Sequence, residues 1–202
     1  MEEILSDTAS QASDLHRVVK ANEDIKKVIR VSSGVNLVAL NAMLIAKRSG
    51  ERSRGFAVMS AELRVFSRKL AGAMAGLGAL IFDLTRDTAA MRKQQHEQRH
   101  LLNIPVQKHS MRELMEPVLA RMDERVRETG ERIERDWCKL RLELSRVLQL
   151  CETGGSLSRS AKIEAVYGGD MSATLKQVAN QIEETVNEIF SILKLLRTQL
   201  AE

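Results

Sequence analysis

His96-Glu97-Gln98-Arg99-His100 is the arrangement in this chain best placed to do chemistry. Two histidines four apart on a helix present both rings to one side and can share a metal ion, and the intervening glutamate can then activate a bound water. His109, beyond a turn at Pro105, is the nearest further ligand. Cys138 lies 29 residues past His109, about 40 Å along a helix. No glycine turn follows the pentapeptide, and no third histidine stands at the extended metalloprotease spacing. The plainer reading is a pair of exposed histidines near a helix end, so no metal or cofactor is expected. A zinc-binding helical sensor or hydrolase using His96 and His100 is the alternative. No nucleophile–histidine–acid set and no glycine-rich phosphate loop after a strand is visible, and the chain reads as non-catalytic.

The elements that carry these residues follow from apolar spacing. Of 202 residues 29% are charged, 3% are aromatic and two are proline, a composition that suits long helices packed through aliphatic seams. Apolar residues recur at steps of three and four along almost the whole chain. A first helix over residues 3–49 turns inward Leu5, Ala12, Leu15, Val19, Ile25, Ile29, Val35, Leu40 and Met43. A second carries Phe56, Met59, Leu63, Phe66, Leu70, Ala73, Leu77, Leu80, Leu84 and Met91, and Val28, Ala39, Met74 and Ile81 beside the two seams widen the apolar stripe. Ser110 and Glu113 form a capping box for a third helix, which runs to about 152 with Val118, Met122, Val126, Ile133, Trp137, Leu140, Leu144 and Val147 inward. Pro117 is expected to kink or delay its first turns. Its outer face pairs Glu128 with Arg132 and Glu131 with Arg135. Residues 153–169, with four glycines, read as a loop region that holds a short helical piece at 161–166. Asp170 or Ser172 then caps a fourth helix with Leu175, Val178, Ile182, Ile189, Ile192 and Leu196 inward. The prediction is an all-α fold, long antiparallel hairpins in a four-helix bundle or coiled coil. One hairpin covers 1–102 with its tip near 50–55, and a second covers 103–202.

Charge and cysteine usage narrow the setting. Residues 47–69 hold seven Lys or Arg against Glu51 and Glu62, but no aromatics are interleaved for base stacking, so nucleic acid is not an expected partner. The uncharged run 70–82 has 13 residues, short of the roughly 20 that span a bilayer. No membrane span and a cytoplasmic location are expected. Cys138 and Cys151 stand 13 residues apart on one helix, about 20 Å, beyond disulfide reach.

Between residues 31 and 64, three blocks keep fixed distances: Asn36-Leu37-Val38-Ala39-Leu40-Asn41-Ala42, Ser49-Gly50-Glu51, and Arg54-Gly55-Phe56-Ala57-Val58. This ordered set resembles the cytoplasmic tip of methyl-accepting chemotaxis receptors, where a long helix turns back on itself and touches the chemotaxis histidine kinase and its coupling adaptor. The resemblance implies that Asn41, Glu51 and Arg54 organise the turn and its contacts, that Val58 and Leu63 present apolar surface to the adaptor, and that Arg48 and Glu62 join these residues in binding partners. For Gly50, Gly55 and Phe56 a folding role is expected. The resemblance departs at Ser33, Gly34-Val35 and Ile45, where the family commonly has an aromatic residue, Gln-Thr and Glu. Those positions serve receptor trimers, which the resemblance therefore does not support here. The nearest pairs to the family's methylation sites, Glu183-Glu184 and Gln94-Gln95, each lack one small flanking residue. The expected function is non-catalytic regulation of the kinase–adaptor complex, with a structural scaffold lacking kinase contact as a further alternative. Helices three and four either replace a partner subunit within one chain, or the first hairpin forms a homodimer.

Overall fold

The structure is a computed structural model. It describes the backbone of residues 2–48, 50–103 and 109–200, and the side chains of 18–48, 50–103 and 115–200. In chain order it comprises α1 (Glu2–Arg48), a 3₁₀ turn (Gly50–Ser53), α2 (Arg54–Leu102), α3 (His109–Val166), a second 3₁₀ turn (Gly169–Met171) and α4 (Ser172–Gln199). Among the described residues there is no strand. Two compact units form. One comprises Met1–Val19 with Leu80–Leu140, the other Lys20–Ala79 with Arg141–Glu202. Each draws on both hairpins.

The second unit is a closed ring of four antiparallel helices, and a residue pair marks each of its four seams. Between α1 and α2, Ser32 Oγ donates to the Ser67 carbonyl at 3.3 Å and Ser67 Oγ donates to the Ser32 carbonyl at 2.8 Å. Both serines are buried, and two such small residues let the backbones approach closely while satisfying their hydroxyls. Between α2 and α3, Phe66 packs over Gly154. Phe66 lies as far past the start of α2 as Gly154 lies short of the end of α3, the register of antiparallel neighbours. Lys162 on α3 pairs with Glu183 on α4, and Lys27 on α1 reaches Glu188 on α4 at 3.9 Å. Inside the ring, Ile25, Val35, Leu63, Leu70, Leu144, Leu175, Ile182 and Ile189 are buried.

Three expectations are corrected. Residues 153–160 continue α3 instead of forming a loop, so the helical piece at 161–166 is the end of α3 itself. Leu157, Ser158, Ala161 and Ala165 extend the inward period, and Gly154 leaves the space that Phe66 fills. The chain breaks only at Gly168–Gly169, where Gly169 takes φ +56°. No side chain caps α4, since Met171 occupies that position and Asp170 lies within the 3₁₀ turn. On α1 the expected Ile25 and Val35 are buried, as are Val28 and Ala39 beside them, but Leu40 and Val19 are exposed, and Val18, Ala21, Ala42 and Ala46 complete the buried face.

In the first unit, α2 and α3 are joined by a polar layer. Asp87 is buried and accepts hydrogen bonds from Arg86 Nε at 3.1 Å and from Arg132 Nε. Burial alone pushes its carboxyl up, but the two guanidinium groups outweigh this and hold it below the usual carboxylate range. Arg132 is therefore turned to Asp87 and not to Glu128, because a buried carboxylate needs the charge more than an exposed one. Glu131 does pair with Arg135, at 3.8 Å. Val118 is exposed, and the other inward residues of α3 up to Trp137 are half-buried. Pro117 lies inside α3, which begins before it at His109. The Ser110–Glu113 capping box lies outside the described side chains, as do Leu5, Ala12 and Leu15.

By length and apolarity the stretches Val18–Arg48 and Gly50–Leu102 are each long enough to cross a bilayer, a possibility that the shorter run 70–82 did not disclose. Core helices of bundles meet the same measure, and both stretches bury one face against other helices of the chain. Cys138 is exposed and Cys151 buried, and neither is in a disulfide.

Candidate functional site

The turn between α1 and α2 is built for sharp reversal. Gly50 takes φ +72°, a left-handed conformation that side-chain-bearing residues rarely adopt. One 3₁₀ turn, Gly50–Ser53, then feeds directly into α2. Ser53 and Phe56 are buried and pin the turn from beneath. At Gly55 an added Cβ would meet only the carboxylate of Glu164 from α3, the end of a flexible side chain that can swing aside. Arg52 lies over Gly169, its Cδ 3.5 Å from where a Cβ on that glycine would stand. The two hairpin turns are thus neighbours at one end of this unit.

Around the turn, Asn41, Arg48, Glu51, Arg54 and Glu62 are all exposed. Arg54 Nη1 reaches Glu51 Oε2 at 3.4 Å, with both side chains largely in solvent. An exposed pair of this kind contributes about 0–1 kcal/mol. Its two charges are thus nearly as available to a partner as to each other. Val58 is 52% exposed. Leu63, expected to present apolar surface, is instead fully buried. From Val58 a step of five residues turns the helix far enough to carry Leu63 onto the core side with Phe56 and Phe66.

The structure adds a surface that spacing alone had not separated. Leu37, Leu40 and Leu44 are 58%, 36% and 52% exposed. With Asn41 and Arg48 they form one outward stripe on α1. Tyr167, Val166 and Ile163, at the α3 end beside the turn, are exposed too. The signal was the competing small-residue period Val35–Ala39–Ala42–Ala46, which wins the interior.

His96 and His100 are both exposed, with Nε2 atoms 3.0 Å apart and rings edge to face. Glu97 reaches Lys93 at 3.8 Å. Among the described residues no group of three or more His, Cys, Asp or Glu could hold a metal ion; the side chain of His109 is outside them. Of the methylation-like pairs, Glu183 is engaged by Lys162 and Glu184 is exposed, whereas Gln94 Oε1 is buried without a hydrogen bond.

A family model described as the methyl-accepting chemotaxis protein (MCP) signalling domain matches residues 1–134. The chain is 32% identical over 108 residues to the methyl-accepting chemotaxis protein CtpL of Pseudomonas aeruginosa, covering 49% of this chain and 16% of that protein. It is 33% identical over 84 residues to the putative methyl-accepting chemotaxis protein sll0041 of Synechocystis, covering 40% and 8%. To the Frizzy aggregation protein FrzCD of Myxococcus xanthus it is 31% identical over 94 residues, covering 45% and 22%. The matched stretch spans less than a quarter of each relative's length.

Proposed function

Because the chain belongs to the methyl-accepting chemotaxis protein signalling-domain family, and is thus a chemotaxis signal transducer, we propose that its α1–α2 turn docks a chemotaxis histidine kinase and its coupling adaptor. The action is non-catalytic and cytoplasmic. The observation that carries this reading is the exposure of Asn41, Arg48, Glu51, Arg54, Val58 and Glu62 around one turn held by Gly50, Ser53 and Phe56. A small apolar patch rimmed by opposite charges is the anatomy of a modest protein interface. Leu63 has no part in it, being in the core.

Titration calorimetry with the adaptor and kinase of the same organism tests the proposal. Binding in the micromolar class is expected, and Val58→Asp with Glu51→Lys should abolish it while leaving circular dichroism unchanged. Wild-type protein that binds neither partner overturns it and leaves the scaffold reading.

The second hairpin supplies α3 and α4 to the bundle, so one chain completes the ring without a second copy. Sedimentation equilibrium should give 22.6 kDa across micromolar concentrations, whereas a constant doubled mass supports the homodimer.

A further inference from the structure

The histidine pair at 96 and 100 has no part in the docking of the tip. A spacing of four residues sets both rings on one side of α2, and their Nε2 atoms come within 3.0 Å of each other. Both residues are exposed, so an ion in solvent reaches them without any opening of the fold. Without an ion, the two nitrogens at this separation share a single proton that one ring donates to the other. A metal ion uses both. Two imidazoles each about 2.0–2.1 Å from one ion stand about 2.9 Å apart at a right angle and about 3.4 Å apart at the tetrahedral angle. The rings meet edge to face, and rotation about the soft Cβ–Cγ bond of exposed histidines aims both lone pairs at one point.

The surroundings set the kind of site. Glu97, the group that would activate water in a hydrolase, pairs instead with Lys93 at 3.8 Å. Among the described residues no third His, Cys, Asp or Glu joins the two rings. Arg92, Lys93 and Arg99 outnumber Glu97 around the pair, which weakens the hold on a cation. We propose that His96 and His100 chelate one exchangeable divalent transition-metal ion of the class that favours imidazole (Ni²⁺, Cu²⁺ or Zn²⁺), with water in its other positions. The second ring meets an ion already held by the first, so the pair binds more tightly than separate histidines. The ion ties together two successive turns near the end of α2, where the last four carbonyls lack partners within the helix. Gln98, between the two histidines, donates to Asp123 of α3, so the braced stretch is one that also bonds to its neighbouring helix. This site stands independently of the docking turn.

Ni²⁺ is the suitable probe, because Cu²⁺ can oxidise the exposed thiol of Cys138. Titration calorimetry of Ni²⁺ into the full chain should show one site with a dissociation constant on the order of 10–100 μM. Mg²⁺, which prefers oxygen ligands, should not bind there. His96→Ala and His100→Ala should each weaken the site about tenfold or more by ending the chelation. Glu97→His with His100→Gln keeps two histidines but sets them one residue apart, on different sides of the helix. It should bind as weakly as His100→Ala, with circular dichroism confirming that each variant is helical. Failure of Ni²⁺ to bind overturns the proposal. So does affinity unchanged by His96→Ala or His100→Ala, wild-type affinity in the variant with adjacent histidines, or equal weakening by His109→Ala.

Discussion

Gly154 and Gly155 are adjacent, both helical, and should answer the same substitution with opposite signs. An interior helical glycine is roughly 1 kcal/mol less favourable than alanine. At 155 an added Cβ meets only Arg159 Nη1 at 3.6 Å, ordinary contact, so Gly155→Ala should gain about 0.5–1 kcal/mol. At 154 the Cβ would stand 2.5, 2.8 and 2.9 Å from Cζ, Cε2 and Cε1 of Phe66. That ring is 3% exposed and has little room to retreat. Overpacking a core costs typically 1–3 kcal/mol. After the propensity gain, Gly154→Ala should be destabilising by about 0–2 kcal/mol, a gap of about 1–3 kcal/mol between neighbours. Urea denaturation followed by circular dichroism measures both. Phe66→Leu in the Gly154→Ala background should recover part of the loss, a coupling that independent sites do not show. Equal stabilisation by both alanines would refute the packing of Phe66 on Gly154. Equal destabilisation would refute helical backbone through 153–166.

Asp87→Asn should cost about 1–2 kcal/mol at neutral pH, below the 3–5 kcal/mol of a fully buried broken pair because Arg132 is nearly half exposed. Since the folded carboxyl is held below its ordinary value, its contribution is present above the unfolded value and lost as pH falls through the folded one. The difference between wild type and Asp87→Asn in thermal melts should therefore shrink below about pH 4. Burial pushes the Cys151 thiol up to about 12. A maleimide at pH 7.5 (about one unit below an ordinary thiol) should accordingly label one cysteine per native chain, at Cys138, and two in denaturant, counted by mass spectrometry. Ala42→Leu should destabilise by about 1–3 kcal/mol in urea melts, whereas Leu44→Ser should stay within about 0.5 kcal/mol of wild type. The reverse order would exchange the inner and outer faces of α1.

Helix existence and the reversal at 50–55 were legible because each rests on a local cause. Steps of three and four need only the helical repeat, and Gly50 needs only its own backbone angle. The end of the third helix was not legible, for a reason that local propensity does not contain. Gly154 and Gly155 weaken a helix standing alone, but Phe66 arrives from residues far earlier in the chain and makes the absence of a Cβ at 154 useful. Tertiary packing overrode propensity there. Arg132 shows the same limit in charge pairing. Glu128 sits four residues before it, yet the buried carboxylate of Asp87 on another helix takes the guanidinium.

The face of α1 is where fold and function meet. Two periods run through the same residues. One is of large side chains, Leu37, Leu40 and Leu44, and the other is of small ones, Val35, Ala39, Ala42 and Ala46. Hydrophobicity alone points the leucines inward. Close approach of α1 to α2, fixed by the reciprocal Ser32–Ser67 hydrogen bonds, admits only the small set. The leucines are left outside, on the same stripe as Asn41 and Arg48. Had the helices stood further apart, the leucines would have filled the interior and the turn would offer little but charge. The tight seam is therefore what supplies apolar surface to a turn already rimmed by Glu51, Arg54 and Glu62.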